Sequence, residues 1–433
     1  MSHIDLQNFE YMSWLKFLKE SSNWTKEQID KHQLIEIKRI INHAYYNTKG
    51  YNQFYNKIGF EPKDINNIKD FEHLPFIEKA TIQNNIEDFS VSMEKFSYIT
   101  TGGSTGVPFG FYRDSKSFSK ELASKAHQYR RVGWNETDKQ FVFRGQKIDT
   151  PEHMEFVPEF NELRCSSYHL TPQNMTIYLK EAHQYEPDWI RTYPSSLYIF
   201  ANFLKDNGYK FPSIKGILCA SENLYDFQKK LFRDVFNNTR VFSHYGNYEL
   251  TALAGFCEYE DTYHVLPQYG YAELIDEQGN IIIEPGKMGE IVTTSFIMNA
   301  TPFIRYKTQD FAILDEYECS SCKRPYQIWS RIVGRLQEFL ITSDGRKISV
   351  TAMNSHDNMY DHIIQFQFHQ SCPGTVVFQF VPKDSFSNYM TEGIHDRLMY
   401  KFDYDMHIVM QPVDKIQFVG RGKSPLVIRT FDE

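Results

Sequence analysis

Thr100-Thr101-Gly102-Gly103-Ser104-Thr105-Gly106-Val107-Pro108 holds three glycines and four hydroxyl residues in nine positions, a composition that builds no core. It makes a pliable polar loop. Its glycines accept tight or left-handed backbone, and its hydroxyl and amide groups suit phosphate oxygens. Phe96, Tyr98 and Ile99 before it, and Phe109, Phe111 and Tyr112 after it, read as two short strands. A Walker A loop needs Lys and then Ser or Thr after its last glycine, and Val107 and Pro108 stand there instead. The pentad Gly102 to Gly106 matches the G-x-S-x-G elbow of a serine hydrolase with Ser104 as nucleophile, yet an elbow feeds a helix and Pro108 opposes one. An ordinary Gly/Ser turn is the third reading, and the residues downstream decide among them.

The chain has 433 residues, too many for one typical domain and enough for two or three units with large cores. Hydrophobic residues make up 41% and aromatics 16%, with 35 Phe and 28 Tyr, which describes a globular protein. A formal net charge of -8 argues against a nucleic-acid partner held by a basic surface. Small anionic ligands remain open. No run approaches the ~20 apolar residues of a membrane helix, and Met1 to Glu10 lacks a signal-peptide pattern, so a cytoplasmic protein without membrane insertion is expected. Six cysteines are too sparse for a disulfide scaffold, and reduced thiols fit the same compartment.

Residues 10 to 60 carry helical periodicity rich in aromatics, among them Trp14, Phe17, Tyr45, Tyr51 and Tyr55, and read as part of a helical cap over about residues 1–75. Leu74-Pro75-Phe76 breaks it. A helix is expected over 115–132. The middle third alternates short apolar runs (Phe141 to Phe143, Trp189 to Tyr193, Ile217 to Ala220, Val241 to Tyr245) with amphipathic helices (Leu197 to Leu204, Phe227 to Phe236), the signature of an α/β layered domain. From Tyr269 to Leu314 strands and turns take over, with hairpin turns at Asp276 to Asn280 and Pro285 to Lys287. After Gly334 the short strands and two helices suffice for a small α+β domain. The fold class expected is thus α/β, with a large layered N-terminal domain over 1–334 and a small mobile C-terminal domain over 335–433.

Four further stretches bear chemistry. In Val241 to Leu250, V-F-S-H-Y-G-N-Y-E-L, a strand ends in Tyr245-Gly246 and Glu249 follows, so a ring able to stack on a purine neighbours a carboxylate able to hold Mg²⁺. A packed tyrosine and a helix-start acid are the plainer readings. Pro302 to Phe311, P-F-I-R-Y-K-T-Q-D-F, sets Arg305 and Asp310 at the margins of a strand, where a carboxylate accepts both hydroxyls of a ribose or simply closes a turn. Ile332 to Leu340 carries Gly334-Arg335, and Gly420 to Lys423 reads G-R-G-K.

In this order, with Gly289 to Val292 (G-E-I-V) between, the stretches resemble the adenylate-forming superfamily of acyl-CoA synthetases, luciferase-like enzymes and peptide-synthetase adenylation domains. The N-terminal H-A-Y-Y-N-T-K-G-Y-N-Q-F-Y and L-P-F-I-E-K are similar to the phenylacetate-CoA ligase branch, and the whole to its CapK polysaccharide-biosynthesis subgroup. The resemblance implies that Thr101, Gly102, Gly103, Ser104, Thr105 and Gly106 wrap the ATP phosphates. It implies that Ser221, Glu222, Asn223, Tyr245 and Gly246 border the adenine, that Glu249 holds Mg²⁺ and that Asp310 takes the ribose hydroxyls. Arg335 would sit near the ribose and phosphate, and Lys423 would bridge the substrate carboxylate and the α-phosphate. His244, Arg144, Tyr193 to Ser196, and His127, Arg130 and Arg131 fall where the family lines its acid site.

Three departures stand out: Gln309 replaces the glycine before the ribose acid, Tyr248 the Thr or Ser before the Mg²⁺ acid, and Gln337 the hinge acid after Gly-Arg. The last weakens CoA as the implied acceptor more than it weakens adenylation. Cys257, His264, Cys319 and Cys322, within 257–322, supply three thiolates and an imidazole for a structural Zn²⁺; a reduced Cys pair with a buried Cys257 is the alternative. Cys165, Cys219 and Cys372 read as small core residues.

The expected function is ATP-dependent activation of a small carboxylic acid as the acyl-adenylate, with pyrophosphate released and the acyl group passed to CoA or to another acceptor such as a carrier thiol or an amine, in capsule or exopolysaccharide biosynthesis. Lys423, Glu249 and Thr105 are the catalytic candidates, and a homodimer is left open. The rivals are a degenerate nucleotide-binding or scaffold protein of the same fold that has lost turnover and, remotely, the Ser104 hydrolase.

Overall fold

The computed structural model describes residues 8–91, 96–100, 109–144, 148–335, 339–349, 360, 362–402, 404–417 and 425–431. The expectations for Thr101 to Gly106, for Gln337 and for Lys423 fall outside them. The chain divides into two compact units, Met1–Asn135 with His244–Ile332, and Glu136–Ser243 with Val333–Glu433.

The first unit opens with helices α1 (Phe9–Ser21), α2 (Lys26–Asn47) and α3 (Lys49–Asn56). Thr25 starts α2 through a capping box: its hydroxyl accepts from the Gln28 amide, and the Gln28 side chain accepts from the Thr25 amide. Ile29, Ile37, Ile40 and Ile41 form the buried stripe of α2. Two short helices, α4 (Ile68–Glu72) and α5 (Lys79–Gln83), precede strands β1 (Ser97–Thr100) and β2 (Gly110–Arg113), which pair antiparallel from Ser97↔Arg113 to Thr100↔Gly110 and so close the ends of the glycine loop together. Helix α6 (Ser115–Arg130) begins where the Asp114 carboxylate accepts from the Ser117 amide at 2.7 Å. Helix α1 packs on α6, with Trp14 Nε1 donating to Ser124 Oγ at 2.9 Å.

The second unit follows with β3 (Gln140–Arg144), β4 (Met154–Val157), β5 (Glu162–Ser166), α7 (Pro172–Tyr185), β6 (Trp189–Thr192), α8 (Pro194–Asp206), β7 (Gly216–Ala220) and α9 (Asp226–Val235). Strands lie in the order β7-β6-β3-β5-β4; β3 is parallel to β5 and β6, β6 is parallel to β7, and β4 is antiparallel at the edge. Phe141, Phe143, Ile190, Phe200, Ile217 and Phe232 fill the core between sheet and helices. Parallel strands need helical crossovers, and the alternation legible in the sequence supplies them. Strand β8 (Arg240–Gly246) begins in this unit and ends in the first.

The first unit resumes with β9 (Leu253–Phe256), β10 (Tyr263–Val265), β11 (Gly270–Ile275), β12 (Met288–Ser295), β13 (Tyr306–Leu314) and β14 (Ile328–Arg335), in the order β11-β12-β13-β14-β10-β9-β8. The expected turn at Asp276 to Asn280 closes with the Asp276 amide donating to the Asn280 carbonyl at 2.9 Å. Buried Tyr51 of α3 donates to the Pro302 carbonyl at 2.9 Å and accepts from the Ile304 amide at 3.1 Å, which fixes the approach to β13. Arg305, at the margin of a strand as expected, is not a surface group. The residue is 2% exposed, and its guanidinium makes two bonds to Glu273 at 3.0 and 2.6 Å, donates to the Leu74 carbonyl and lies 4.2 Å over the Phe76 ring. It ties the Leu74-Pro75-Phe76 break to β13.

The remainder of the second unit holds β15 (Phe339–Ile341), β16 (Lys347–Ser349), β17 (Ile363–Cys372), β18 (Thr375–Pro382), α10 (Asn388–Lys401), β19 (His407–Pro412) and β20 (Val427–Arg429). Its sheet runs β19-β18-β17-β20 around Phe366, Phe368, Phe378, Leu398 and Phe402, a core that Tyr225 joins. Two helices were expected here; among the described residues there is α10. Cys165 and Cys219 are buried as expected, whereas Cys372 is exposed at the end of β17. Among the described residues no helix is long and apolar enough to cross a membrane.

Candidate active site and metal cluster

Glu249 follows β8 in a turn that several bonds pin. Asn247 Oδ1 accepts from the Thr251 amide at 2.9 Å, the Leu250 amide donates to the Asn247 carbonyl at 3.2 Å, and Ser295 Oγ donates to the Leu250 carbonyl at 2.7 Å. Gly270 lets this turn close on the sheet: a Cβ there would stand 2.5 Å from the Thr251 carbonyl oxygen and 2.7 Å from that of Thr294. The Glu249 carboxylate, 8% exposed, accepts from Tyr306 Oη at 3.2 Å. Asp310, 7% exposed on β13, accepts from Tyr245 Oη at 2.8 Å, and its amide donates to Thr308 Oγ1 at 3.1 Å. Tyr245 also meets the Trp329 ring edge-on at 5.8 Å. The carboxylates expected to serve metal and ribose thus each receive a tyrosine hydroxyl.

Backbone conformation marks the same motifs. Ser221, Leu250, Arg305 and Gln309 take φ of +69°, +55°, +45° and +63°, a region costly for residues with a Cβ and frequent at functional sites. Gln309 explains one departure: its position wants the left-handed backbone that glycine adopts freely. Its amide donates to Glu290 Oε1 at 3.2 Å and its side chain is exposed. Gln309→Gly is expected to raise stability by about 0.5–1 kcal/mol, read from the urea midpoint. A lower midpoint would mean that the Gln309 side chain itself holds the segment.

In the second unit Glu222 accepts from both the amide and the hydroxyl of Ser195, each at 3.0 Å, and so closes the first turn of α8. Asn223 Nδ2 donates to the Val333 carbonyl at 3.3 Å. Arg335 is the last residue of β14 and Arg144 the last of β3. In the first unit, His244 Nδ1 lies 3.3 Å from Tyr129 Oη on α6. Burial, with Arg131 adding to it, lowers the His127 imidazole to about 4, so it is neutral at pH 7. Arg131 turns to structure: it donates to Glu258 at 2.9 Å, to the Phe256 carbonyl at 3.2 Å and to Gln128 at 2.6 Å.

Cys257, His264, Cys319 and Cys322 converge, with their donor atoms all within 4.8 Å of one another. Cys257 follows β9, His264 lies on β10, and β9 pairs antiparallel with β10. Cys319 and Cys322 sit in the tight turn between β13 and β14, where the Lys323 amide donates to the Cys319 carbonyl at 2.9 Å and the Cys322 amide approaches Cys319 Sγ at 3.4 Å. The edges Cys257 Sγ to Cys319 Sγ and Cys322 Sγ to His264 Nδ1 are both 3.8 Å. Metal–sulfur bonds of ~2.3 Å at the tetrahedral angle give an edge of about 3.8 Å, far longer than a disulfide bond. The donor set therefore fits a tetrahedral Zn²⁺. Burial pushes the Cys257 thiol up to about 12 and the His264 imidazole down to about 3, so without a cation both donors are neutral at pH 7. Beside them Glu258 accepts from Arg324 at 2.7 and 2.6 Å as well as from Arg131; burial pushes its carboxyl up, and these guanidinium bonds override that and hold it well below the usual range.

Solved structures similar to this chain belong to acid ligases. A 2-hydroxyisobutyryl-CoA ligase in the postadenylation state, in complex with 2-HIB-AMP, matches with TM-score 0.76 and 14% identity over 95% of this chain and 92% of its own. An acyl acid amido synthetase in complex with 2,4-DB matches with TM-score 0.60 and 14% identity over 99% and 95%. The fold is that of the adenylate-forming ligases. Protein CapK of Staphylococcus aureus is 23% identical over 94% of each chain, and the phenylacetate-coenzyme A ligase of Pseudomonas putida is 24% identical over 73% of this chain and 72% of its own. Residues 340–430 match the CapK C-terminal domain. The chain is thus similar in sequence to Protein CapK over most of its length and to phenylacetate-coenzyme A ligases over about three quarters of it, and its fold is shared with structures of acid ligases.

Proposed function

We propose that the protein converts a small carboxylic acid and ATP into the acyl-adenylate and pyrophosphate, and passes the acyl group to CoA, a carrier thiol or an amine. The observation that carries this reading is the pair Glu249 and Asp310, two nearly buried carboxylates of the first unit, each accepting a hydrogen bond from a tyrosine hydroxyl. In the reaction a carboxylate oxygen attacks the α-phosphorus, the bond from that phosphorus to the β-phosphate bridging oxygen breaks, and pyrophosphate leaves with the electron pair. Mg²⁺ would neutralise the phosphate charge. Glu249 would hold that ion, and Asp310 would accept the ribose hydroxyls and fix the nucleotide. Ser221, Glu222, Asn223 and Tyr245-Gly246 are assigned to the adenine, Thr101 to Gly106 to the phosphates, Arg335 to the ribose–phosphate junction, and Lys423 to the transition state.

Cys257, His264, Cys319 and Cys322 would hold Zn²⁺ as a structural ion that locks the β9–β10 hairpin to the β13–β14 turn. The motif resemblance to the CapK polysaccharide-biosynthesis subgroup supports a substrate from capsule or exopolysaccharide synthesis, and a need for ATP supports a cytoplasmic location. The domain boundary near residue 335 is part of the same proposal, with residues 335–433 moving as one body.

The test is acid-dependent pyrophosphate release with ATP and Mg²⁺ across aromatic, aliphatic, amino and sugar acids, with and without CoA. Release with one acid supports adenylation, and a thioester formed with CoA identifies the acceptor. Glu249→Gln should lower that release about 10²-fold. No ATP binding at all would favour the degenerate scaffold.

A further inference from the structure

Two segments of the first unit share one spelling. Tyr245-Gly246-Asn247-Tyr248-Glu249 and Tyr306-Lys307-Thr308-Gln309-Asp310 each place an acid four residues after a tyrosine. Neither tyrosine bonds its own segment's acid through the contacts described above. Tyr245 donates to Asp310 at 2.8 Å, and Tyr306 donates to Glu249 at 3.2 Å. The two segments are therefore crossed, each phenol holding the carboxylate of the other. Packing fixes both rings: Tyr245 meets Trp329 edge-on at 5.8 Å, and Tyr306, 2% exposed, is stacked by Phe109 at 6.5 Å and met edge-on by Phe303 at 5.0 Å. Phe109 is also the first described residue after the glycine loop.

A phenol does for a functional carboxylate what an arginine could not. It fixes one oxygen and the rotamer, and as a neutral donor it leaves the negative charge for a cation or a diol. Crossing the pair adds a second property, since neither acid can shift without disturbing the strand segment that carries the other.

We propose that Tyr245 and Tyr306 are positioning residues that brace the ribose and metal subsites against each other, Tyr245 orienting Asp310 toward the nucleotide hydroxyls and Tyr306 orienting Glu249 toward Mg²⁺. This rests on the nucleotide reading given above. It assigns the Tyr245 hydroxyl a task separate from any stacking of its ring on adenine, and it makes Tyr306 part of the site.

The two braces have different readouts, and equilibrium binding of nucleotide measures both without knowledge of the acid. Calorimetric titration of the full chain with ATP, with 2′-deoxy-ATP, and with ATP at graded Mg²⁺ is the experiment. Y245F should reduce the preference for ATP over 2′-deoxy-ATP roughly tenfold, as expected for losing one hydrogen bond to a charged group, and leave the Mg²⁺ requirement unchanged. Y306F should raise the Mg²⁺ concentration for half-maximal ATP binding by a similar factor and leave the sugar preference unchanged. In an Asp310→Asn background Y245F should have no further effect on sugar preference. A general packing role would weaken all ligands together and lower the melting temperature without splitting the readouts, and that result overturns the brace. Should Y306F fail to fold, the Y245F arm alone decides: an unchanged sugar preference overturns the proposal. A wild-type protein that binds no ATP overturns the nucleotide reading itself, whereas a wild type that binds ATP with unsplit variants overturns the brace and leaves that reading standing.

Discussion

Lys423→Ala is expected to lower acid-dependent pyrophosphate release by about 10³-fold while ATP binding falls little. The reason lies in the charges that must meet. An anionic carboxylate approaches a phosphorus ringed by anionic oxygens, and the leaving pyrophosphate gathers further negative charge as the bond breaks. A cation at the point of attack stabilises that arrangement more than it stabilises bound ATP, whose affinity is expected to come from the adenine, ribose and β,γ-phosphate contacts. Lys423 falls inside the segment that matches the CapK C-terminal domain, seven residues before that match ends at 430. The measurement is a pair: pyrophosphate release with the productive acid, and calorimetric ATP binding. An unchanged rate removes Lys423 from the chemistry, and a loss of ATP binding equal to the loss of rate would recast it as a ground-state contact.

Removing the metal is expected to have the largest effect on stability. Cys322→Ser, or incubation with a strong chelator, should lower the melting temperature by roughly 10 °C and release one zinc per chain, because metal bonds in a structural site contribute directly to folding. The geometry makes this a specific expectation: two donor edges stand at 3.8 Å, and the donor atoms of four side chains from three separate loops and strands all lie within 4.8 Å of one another. Serine is nearly isosteric, so the loss would come from the ligand and not from a cavity. The arginines around Glu258 add to the argument, since a site with three thiolates and one imidazole around Zn²⁺ carries a net negative charge that Arg131 and Arg324 can balance. Below its lowered melting point the variant should keep ATP binding. Metal analysis of the purified wild type settles the premise, and a protein without zinc ends it.

The fold was legible to the extent that local patterns encode it. Strands β3, β6, β7 and β8 and helices α6, α8 and α9 lie where periodicity sets them, because apolar runs and amphipathic stripes are properties of neighbouring residues. The hairpin of β4 with β5 was not anticipated. Met154 to Val157 alternates weakly and sits at a sheet edge, where burial imposes little pattern.

The site was legible as a set of residues and much less as an arrangement. The resemblance of their motifs points to Glu249 and Asp310, and residue type points to the four candidate zinc ligands. Arg305 looked as eligible as Asp310, two ionisable groups at the margins of one strand, yet one is sealed in an ion pair with Glu273 and the other faces a tyrosine hydroxyl. Their difference comes from partners at sequence separations of 32 and 65 residues, which no local window contains. Tyr306 was passed over because a tyrosine between two basic residues reads as an ordinary strand position; the repeated Tyr-x-x-x-acid spelling was the available signal.

The sequence by itself determined the layered α/β class, which follows from short-range period, and the order of the motifs, whose resemblance to the adenylate-forming enzymes supplied the candidate metal and nucleotide ligands. Only the tertiary structure decided which acid each tyrosine holds, which arginine is consumed by the core, and why Gln309 can replace a glycine by taking a left-handed backbone. Those outcomes depend on the sheet order that brings separate strands together, and on side-chain packing that fixes rotamers after the backbone has chosen its path.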